Sequence, residues 1–473
     1  MRRGAVLGAV VALTVAACGS ADPAPAPAAD PGRVLADAVT VDAMMGHLQR
    51  LHDIAAAHGG SRADGTPGYD ASVDYVATVL RDNGFDVELA DFERVVLAAP
   101  GRPTLTVAGR ALPVDQASLL TPTPREGLQA RTQRPRRAAG CTTADYGDAT
   151  VRGALAVVDD TGCSLVEKQN VASDEGAVGL LVVSEGGVPG LFTPGYYQQL
   201  KAPVAVIGRD VDAQLRRTSS PVRLVLDAKA GTVRSRNVLA QTKTGDVHRV
   251  VVAGAHLDSA PDSPGINADG SGVAAVLATA AALGASPGVT NAVRFAFWGA
   301  GEAGGEGAAK YVAGLGGDGV ADLAMYLDVD QIGSTNPGYF TYDGDQSGAA
   351  NPQVPAAAVP AGSAGIERTL AGYLNLAGVR PADVPLGRSG DYAPFLAAGV
   401  PIGGVTTAAS GRKTDVQARL WGGQAGRPFD PNYRTPRDDV TNVDRDALAI
   451  VGPAVAFAVG TYARSTDGRN GVP

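Results

Sequence analysis

From about residue 237 onward the sequence alternates short apolar runs with longer stretches of helical spacing, and no other feature restricts its fold so tightly. Residues 250–255, 293–298, 323–329 and 401–407 have the length and composition of buried strands. Segments 271–283, 307–315, 366–377, 392–398 and 447–463 lie between or after them and read as helices. Parallel strands require a crossover of a dozen or more residues, usually a helix, whereas antiparallel strands can turn back within two. The alternation therefore predicts an α/β fold, a three-layer sandwich with a mostly parallel central sheet. In such sheets polar residues just past the C-terminal strand ends gather in one crevice. Three strand ends carry them: His256 and Asp258 after the first, Glu302 after the second, Asp328 and Asp330 after the third.

The upstream half is organised differently. Residues 41–80 place apolar side chains at helical spacing around a polar, glycine-rich interruption at 58–68, so helix, loop, helix is expected, then a strand near 85–92. Between residues 100 and 232, short β-like runs (154–159, 179–184, 204–208) alternate with turns and one helical stretch, 167–175. This span reads as a small β-rich domain inserted between the two parts of a larger one, 41–99 and 233–465, with a short tail at 466–473. His47, His52 and His58 fall five and six residues apart on different helix faces, as surface or half-buried side chains do.

With 473 residues, 45 % hydrophobic and 19 % charged, the chain is neither disordered nor a polytopic membrane protein. A net charge of -8 with no concentration of basic residues argues against a nucleic-acid partner. Arg2 and Arg3 precede an uncharged run, 4–17, too short to span a bilayer but suited to a secretory leader. The run ends in Val15-Ala-Ala-Cys18-Gly19, which resembles a bacterial lipobox. That resemblance implies a lipoprotein signal peptide at 1–17, a diacylglycerol on the Cys18 thiol, and a membrane-anchored, extracytoplasmic protein. The Pro/Ala-rich residues from 18 to 40 read as its tether. Cys141 and Cys163 then remain as a pair in an oxidising compartment, where a disulfide is expected.

The order within residues 100–232 is cysteine, strand ending in Asp, second cysteine, helix, strand, then Pro203-Val-Ala-Val-Ile207. It resembles the protease-associated (PA) domain of secreted peptidases, which implies a lid or access role without catalytic residues. The larger domain is similar to the secreted zinc aminopeptidases of metallopeptidase family 28. The likeness is carried by Gly254-Ala-His-Leu-Asp258, Gly265-Ile-Asn-Ala-Asp-Gly-Ser-Gly272, Phe295-Ala-Phe-Trp-Gly-Ala300, Asp328-Val-Asp330 and Gly333-Ser-Thr-Asn-Pro-Gly-Tyr-Phe340, and extends to residues 59–76 and 433–443. It implies two zinc ions sharing a bridging Asp and a water. One zinc is held further by His and Asp, the other by Glu and a late His, and a Glu beside the ligand Glu is the general base. Tyr433 falls where the resemblance implies an oxyanion stabiliser, and residues 387–389 fall near substrate.

Three metal-ligand positions are matched, by His256, Glu302 and Asp330, with Asp258 placed to orient the His256 ring. Three other positions are not. Ala268 stands in place of the bridging Asp, Gly301 in place of the base and Arg434 in place of the late His, and no histidine follows His256. Asp269 and Glu306 are the nearest stand-ins for bridge and base. Zinc, implied by the family, is therefore expected to bind weakly or not at all, with the Arg434 guanidinium in the second metal's position and paired to Glu302. The expected function is a cell-surface lipoprotein of the aminopeptidase family that binds a peptide or protein ligand in its cleft, as a pseudoenzyme or a strongly impaired peptidase. The alternative is an active aminopeptidase releasing N-terminal residues with an altered or single-metal site. Serine hydrolase chemistry lacks its Gly-x-Ser-x-Gly elbow.

Overall fold

The structure, a computed structural model, describes Met1 and residues 30–184, 191–192, 196–349, 351, 354–468 and 470–472. Cys18 and the leader's run 4–17 lie outside the described residues.

Eight strands form the central sheet in the order Asp86–Ala99, Lys229–Gln241, Asn291–Trp298, Asp246–His256, Leu323–Val329, Ile402–Thr406, Phe340–Tyr342, Ala382–Val384. From Asn291–Trp298 to Ile402–Thr406 the strands run parallel. These are the strands whose sequence is apolar on both faces, as a sheet covered on both sides requires. One face packs Val251, Phe295 and Leu327 against helices Val41–Ala57, Pro67–Asp82, Gly270–Leu283, Gly362–Leu376 and Arg445–Arg464. The other packs Val252, Trp298 and Tyr326 against Glu306–Ala321 and Ala393–Ala397. This is the three-layer sandwich expected. Among the described residues Arg445–Arg464 alone is long and apolar enough to cross a membrane, and most of it is buried in the core.

Several elements differ from expectation. The tether ends before residue 40: Asp30 caps a helix, Pro31–Ala38, whose Leu35 and Ala36 are buried and whose Gly32 sits against Phe457 and Thr461. The expected tail folds back, with Val472 in the core and its N–H donating to the Thr466 carbonyl at 2.7 Å. Helix Glu306–Ala321 continues past residue 315 through a non-helical Gly316. The strand near 85–92 runs on to Ala99, paired antiparallel with Lys229–Gln241 over its whole length.

That two-stranded ribbon carries the chain into and out of residues 104–225, which build two further sheets. One is four-stranded and antiparallel: Arg110–Pro113, Thr104–Val107, Val222–Val225, Leu128–Ala130. The other is five-stranded and mostly parallel: Asp115–Gln116, Val204–Ile207, Gly179–Val183, Leu155–Asp159, Thr132–Gln133. They bury apolar clusters of their own. Cys141 and Cys163 form a disulfide there, with Cα atoms 5.9 Å apart. Tyr197 reaches from this module to the larger domain, where its hydroxyl lies 3.0 Å from both carboxylate oxygens of Glu306.

Candidate active site

At the C-terminal ends of the parallel strands lies a cavity of about 220 Å³, and His256, Gly301, Glu302, Asp330, Tyr433 and Arg434 all line it. Asp258 and Ala268 are buried behind it. Strand Asp246–His256 delivers His256 to the rim. Two residues on, the Asp258 carboxylate accepts from the backbone N–H groups of Gly301 (2.7 Å) and Glu302 (3.1 Å), which ties two strand ends together. His256 Nδ1 lies 3.0 Å from the Asp258 carbonyl and 3.5 Å from its carboxylate, so the carbonyl holds the ring more closely. Arg62, fully buried, donates from its guanidinium to the carbonyls of Leu257, Pro264 and Gly265 and fixes the loops that flank the histidine. Burial lowers the Arg62 guanidinium to about 10, which leaves it charged. Sequence reasoning gave Arg62 no task, and no local signal marks an arginine whose three acceptors lie about 200 residues away.

Arg434 Nη2 lies 2.6 Å from Glu302 Oε2, and its guanidinium carbon stands 4.9 Å from the Tyr433 ring centroid. Burial pushes the Tyr433 phenol up to about 12, so it remains a neutral donor. Ala268 donates its N–H to Asp438 at 3.1 Å. A Cβ added to Gly301 would fall 2.2 Å from His256 Cβ. Glu306 does not supply a base to the cavity, because it opens its helix buried against Tyr197.

Asp269 caps helix Gly270–Leu283, its Oδ1 accepting from Gly272 N and from Gln331 N. Its Oδ2, and Asp330 Oδ1, are buried without a hydrogen-bond partner. His256, Asp269 and Asp330 each present a ligand atom within 4.8 Å of the others. Asp328 is held by the Tyr326 and Tyr342 hydroxyls at 2.8 and 2.9 Å, and Asp391 also lines the cavity. The topology brings Asp269, Asp328 and Asp391 to the same place as Glu302, Asp330, His256 and Arg434. Burial raises all three carboxyls, Asp328 to about 7, with Asp330 adding repulsion. Burial alone would lower His256, but Asp258, Asp269 and Asp391 outweigh it and raise its pKa well above the ordinary value.

A parallel-centred α/β sandwich with His, Asp and Glu gathered at its strand ends and a PA-type insertion defines the zinc-exopeptidase class of fold. The PA domain family matches residues 128–215, and the Peptidase family M28 matches residues 237–459. A Mycobacterium tuberculosis protein named "Probable lipoprotein aminopeptidase LpqL" is 47 % identical over 446 residues, covering 93 % of this chain and 88 % of that protein. The chain belongs to peptidase family M28. Among solved structures, an aminopeptidase from Aneurinibacillus sp. strain AM-1 matches with a TM-score of 0.66 at 24 % identity, covering 93 % of this chain and 98 % of that one. A zinc aminopeptidase from Bacillus subtilis matches with a TM-score of 0.56 at 21 % identity, covering 92 % and 98 %.

Proposed function

We propose that this chain is a lipid-anchored, extracytoplasmic member of the family whose cleft binds the N-terminal part of peptides and hydrolyses them very slowly. The observation that carries the reading is the Arg434–Glu302 pair at 2.6 Å. A guanidinium in that place neutralises the carboxylate that a second metal would need. The site does not fit a pair of zinc ions: Glu302 is engaged, Ala268 offers no bridging oxygen, and no histidine stands at 434. Gly301 offers no general base, a loss worth about 10² to 10⁴-fold in rate. The cleft keeps what recognition of a peptide end requires, with Asp330 and Asp391 to receive an α-amino group and Tyr433 to donate to a carbonyl. Anchoring through Cys18 is supported by the lipobox-like run and by the lipoprotein in the name of the Mycobacterium tuberculosis relative.

A second reading is favoured by the unpartnered Asp269 Oδ2 and Asp330 Oδ1 beside His256. These three residues fit one divalent cation, with Asp269 serving where Ala268 does not. Such an ion supplies Lewis-acid polarisation of a bound carbonyl. His256 is held through Asp258, Asp269 through its helix cap, and Arg434 keeps its charge beside Glu302.

Metal analysis of the purified chain, with an aminoacyl-anilide assay, separates the readings. The expected result is at most one zinc per chain and turnover several powers of ten below that of family members bearing both metals. One zinc with comparable turnover selects the single-metal enzyme, and two zincs overturn both readings.

A further inference from the structure

The cavity at the strand ends carries charge of both signs, and part of it is unmatched within the chain. Arg434 gives Nη2 to Glu302 Oε2 at 2.6 Å, and among the described residues no second carboxylate pairs with it. Half of its side chain is exposed, so the guanidinium, with five donors in a planar fork, keeps donors open to a ligand. The Tyr433 ring, 4.9 Å from the guanidinium carbon, backs it. The opposite charge is buried deeper. Asp391 lines the cavity at 6 % exposure, and its Oδ1 has no hydrogen-bond partner; Asp330 Oδ1 is unpartnered too. Burial raises the Asp391 carboxyl, and although His256 opposes the rise, Asp328 and Asp330 add to it. Asp330 links the two ends, attracted by Arg434 and repelling Asp391.

A simple anion entering this cavity meets Glu302, Asp330 and Asp391. A simple cation is opposed by Arg434 and leaves its donors unused. A ligand with an ammonium group at one end and a carboxylate at the other answers both. The space sets its length: the cavity, at about 220 Å³, falls below the roughly 300–1,000 Å³ of sites that enclose drug-sized ligands. Tyr433 lines the cavity beside Arg434, so its hydroxyl is available to a carbonyl that lies between the two charged ends. A single amino acid has no such carbonyl, whereas two residues joined by a peptide bond have one.

We propose that the cleft selects free dipeptides, with Asp391 and Asp330 receiving the α-ammonium group, Tyr433 the peptide carbonyl and Arg434 the terminal carboxylate. This rests on the reading of the cleft as a site for peptide N-termini, and adds to it a specificity-determining residue that fixes the ligand's length. The arginine that stands in place of a metal ligand thereby becomes the anchor for the far end of the ligand. A longer peptide carries its carboxylate past Arg434 and sets an uncharged amide against the guanidinium, which forfeits the charge-assisted bond.

The test is calorimetric titration of the mature chain with alanyl-alanine, its C-terminal amide, its N-acetyl derivative, trialanine and free alanine. Alanyl-alanine is expected to bind about 10- to 100-fold more tightly than the amide or trialanine, as a hydrogen-bonded charge pair is worth. The N-acetyl derivative and alanine are expected to bind weaker than the dipeptide by at least about 10-fold. Arg434→Gln should bring the acid-to-amide ratio down to about one, and Arg434→Lys should restore part of it. Arg434 is half exposed, so both variants keep the fold, which thermal melting checks. Equal binding of the dipeptide and its amide, trialanine or alanine, or a ratio that survives Arg434→Gln, overturns the dipeptide assignment and leaves the site for peptide N-termini standing. Indifference to N-acetylation, or no binding of any ligand, overturns both.

Discussion

At Gly301 the absence of a side chain has let the backbone close onto His256, since an added Cβ would fall 2.2 Å from His256 Cβ and 2.4 Å from Cγ. The space a side chain would take here is filled. Asp258 holds this arrangement by accepting from the N–H groups of both Gly301 and Glu302. Gly301→Glu is therefore expected to destabilise the fold by about 1–3 kcal/mol, as overpacking does, and to leave anilide turnover unchanged. A gain of turnover at an unchanged melting temperature would show that the loop reopens. Arg434 differs, because half of its side chain is exposed where it reaches Glu302. Which residue stands at 301 or 434 is legible in the sequence. The closure at 301 is not, because it depends on backbone separated by some forty residues.

Among the elements, those with a local cause were readable from sequence. The parallel strands declare themselves by apolar runs and the helices by spacing and caps, as where Thr40 and Thr66 accept from the N–H groups of Ala43 and Tyr69. The far half of the ribbon strand Asp86–Ala99 is not legible in the sequence, because it is only partly buried and lacks a clear alternation. Pro31–Ala38 is not legible either, because an eight-residue helix exists only through its seat on the last helix. Asp391 joins the cleft by tertiary convergence alone. His47, read as surface or half-buried, packs on the helix Pro67–Asp82, with Nδ1 2.6 Å from the Tyr75 hydroxyl, and burial lowers its pKa from 6.5 to about 4. The unfolded chain then binds a proton that the folded one does not between those values. Stability is expected to fall as pH drops from 6.5 toward 4 and to be level above 6.5 for this group. His47→Gln should flatten that portion of the pH profile in urea melts, and an unaltered slope would exclude His47 as its source.

In the whole molecule, the PA module and the larger domain meet beyond the ribbon at Tyr197, whose hydroxyl donates to the buried Glu306 and accepts from Val95 N at 3.2 Å. Glu306 begins the helix that follows the loop bearing Gly301 and Glu302, so the module rests on the segment that shapes the cleft. Burial raises the Glu306 carboxyl, which makes its bond from Tyr197 the more consequential. Tyr197→Phe is expected to cost about 1–3 kcal/mol by leaving that carboxyl unsatisfied. Glu306→Gln retains an oxygen acceptor and should cost less. If the two groups act as a pair, the double variant loses less than the sum of the single losses. A double-mutant cycle from urea melts should then return a coupling of about 0.5–3 kcal/mol, whereas strict additivity would mean that the module is positioned by the ribbon alone. Coupling would also make the module's position a determinant of the cleft, because displacing Tyr197 releases the first turn after Glu302. Peptide affinity in Tyr197→Phe should then weaken together with stability.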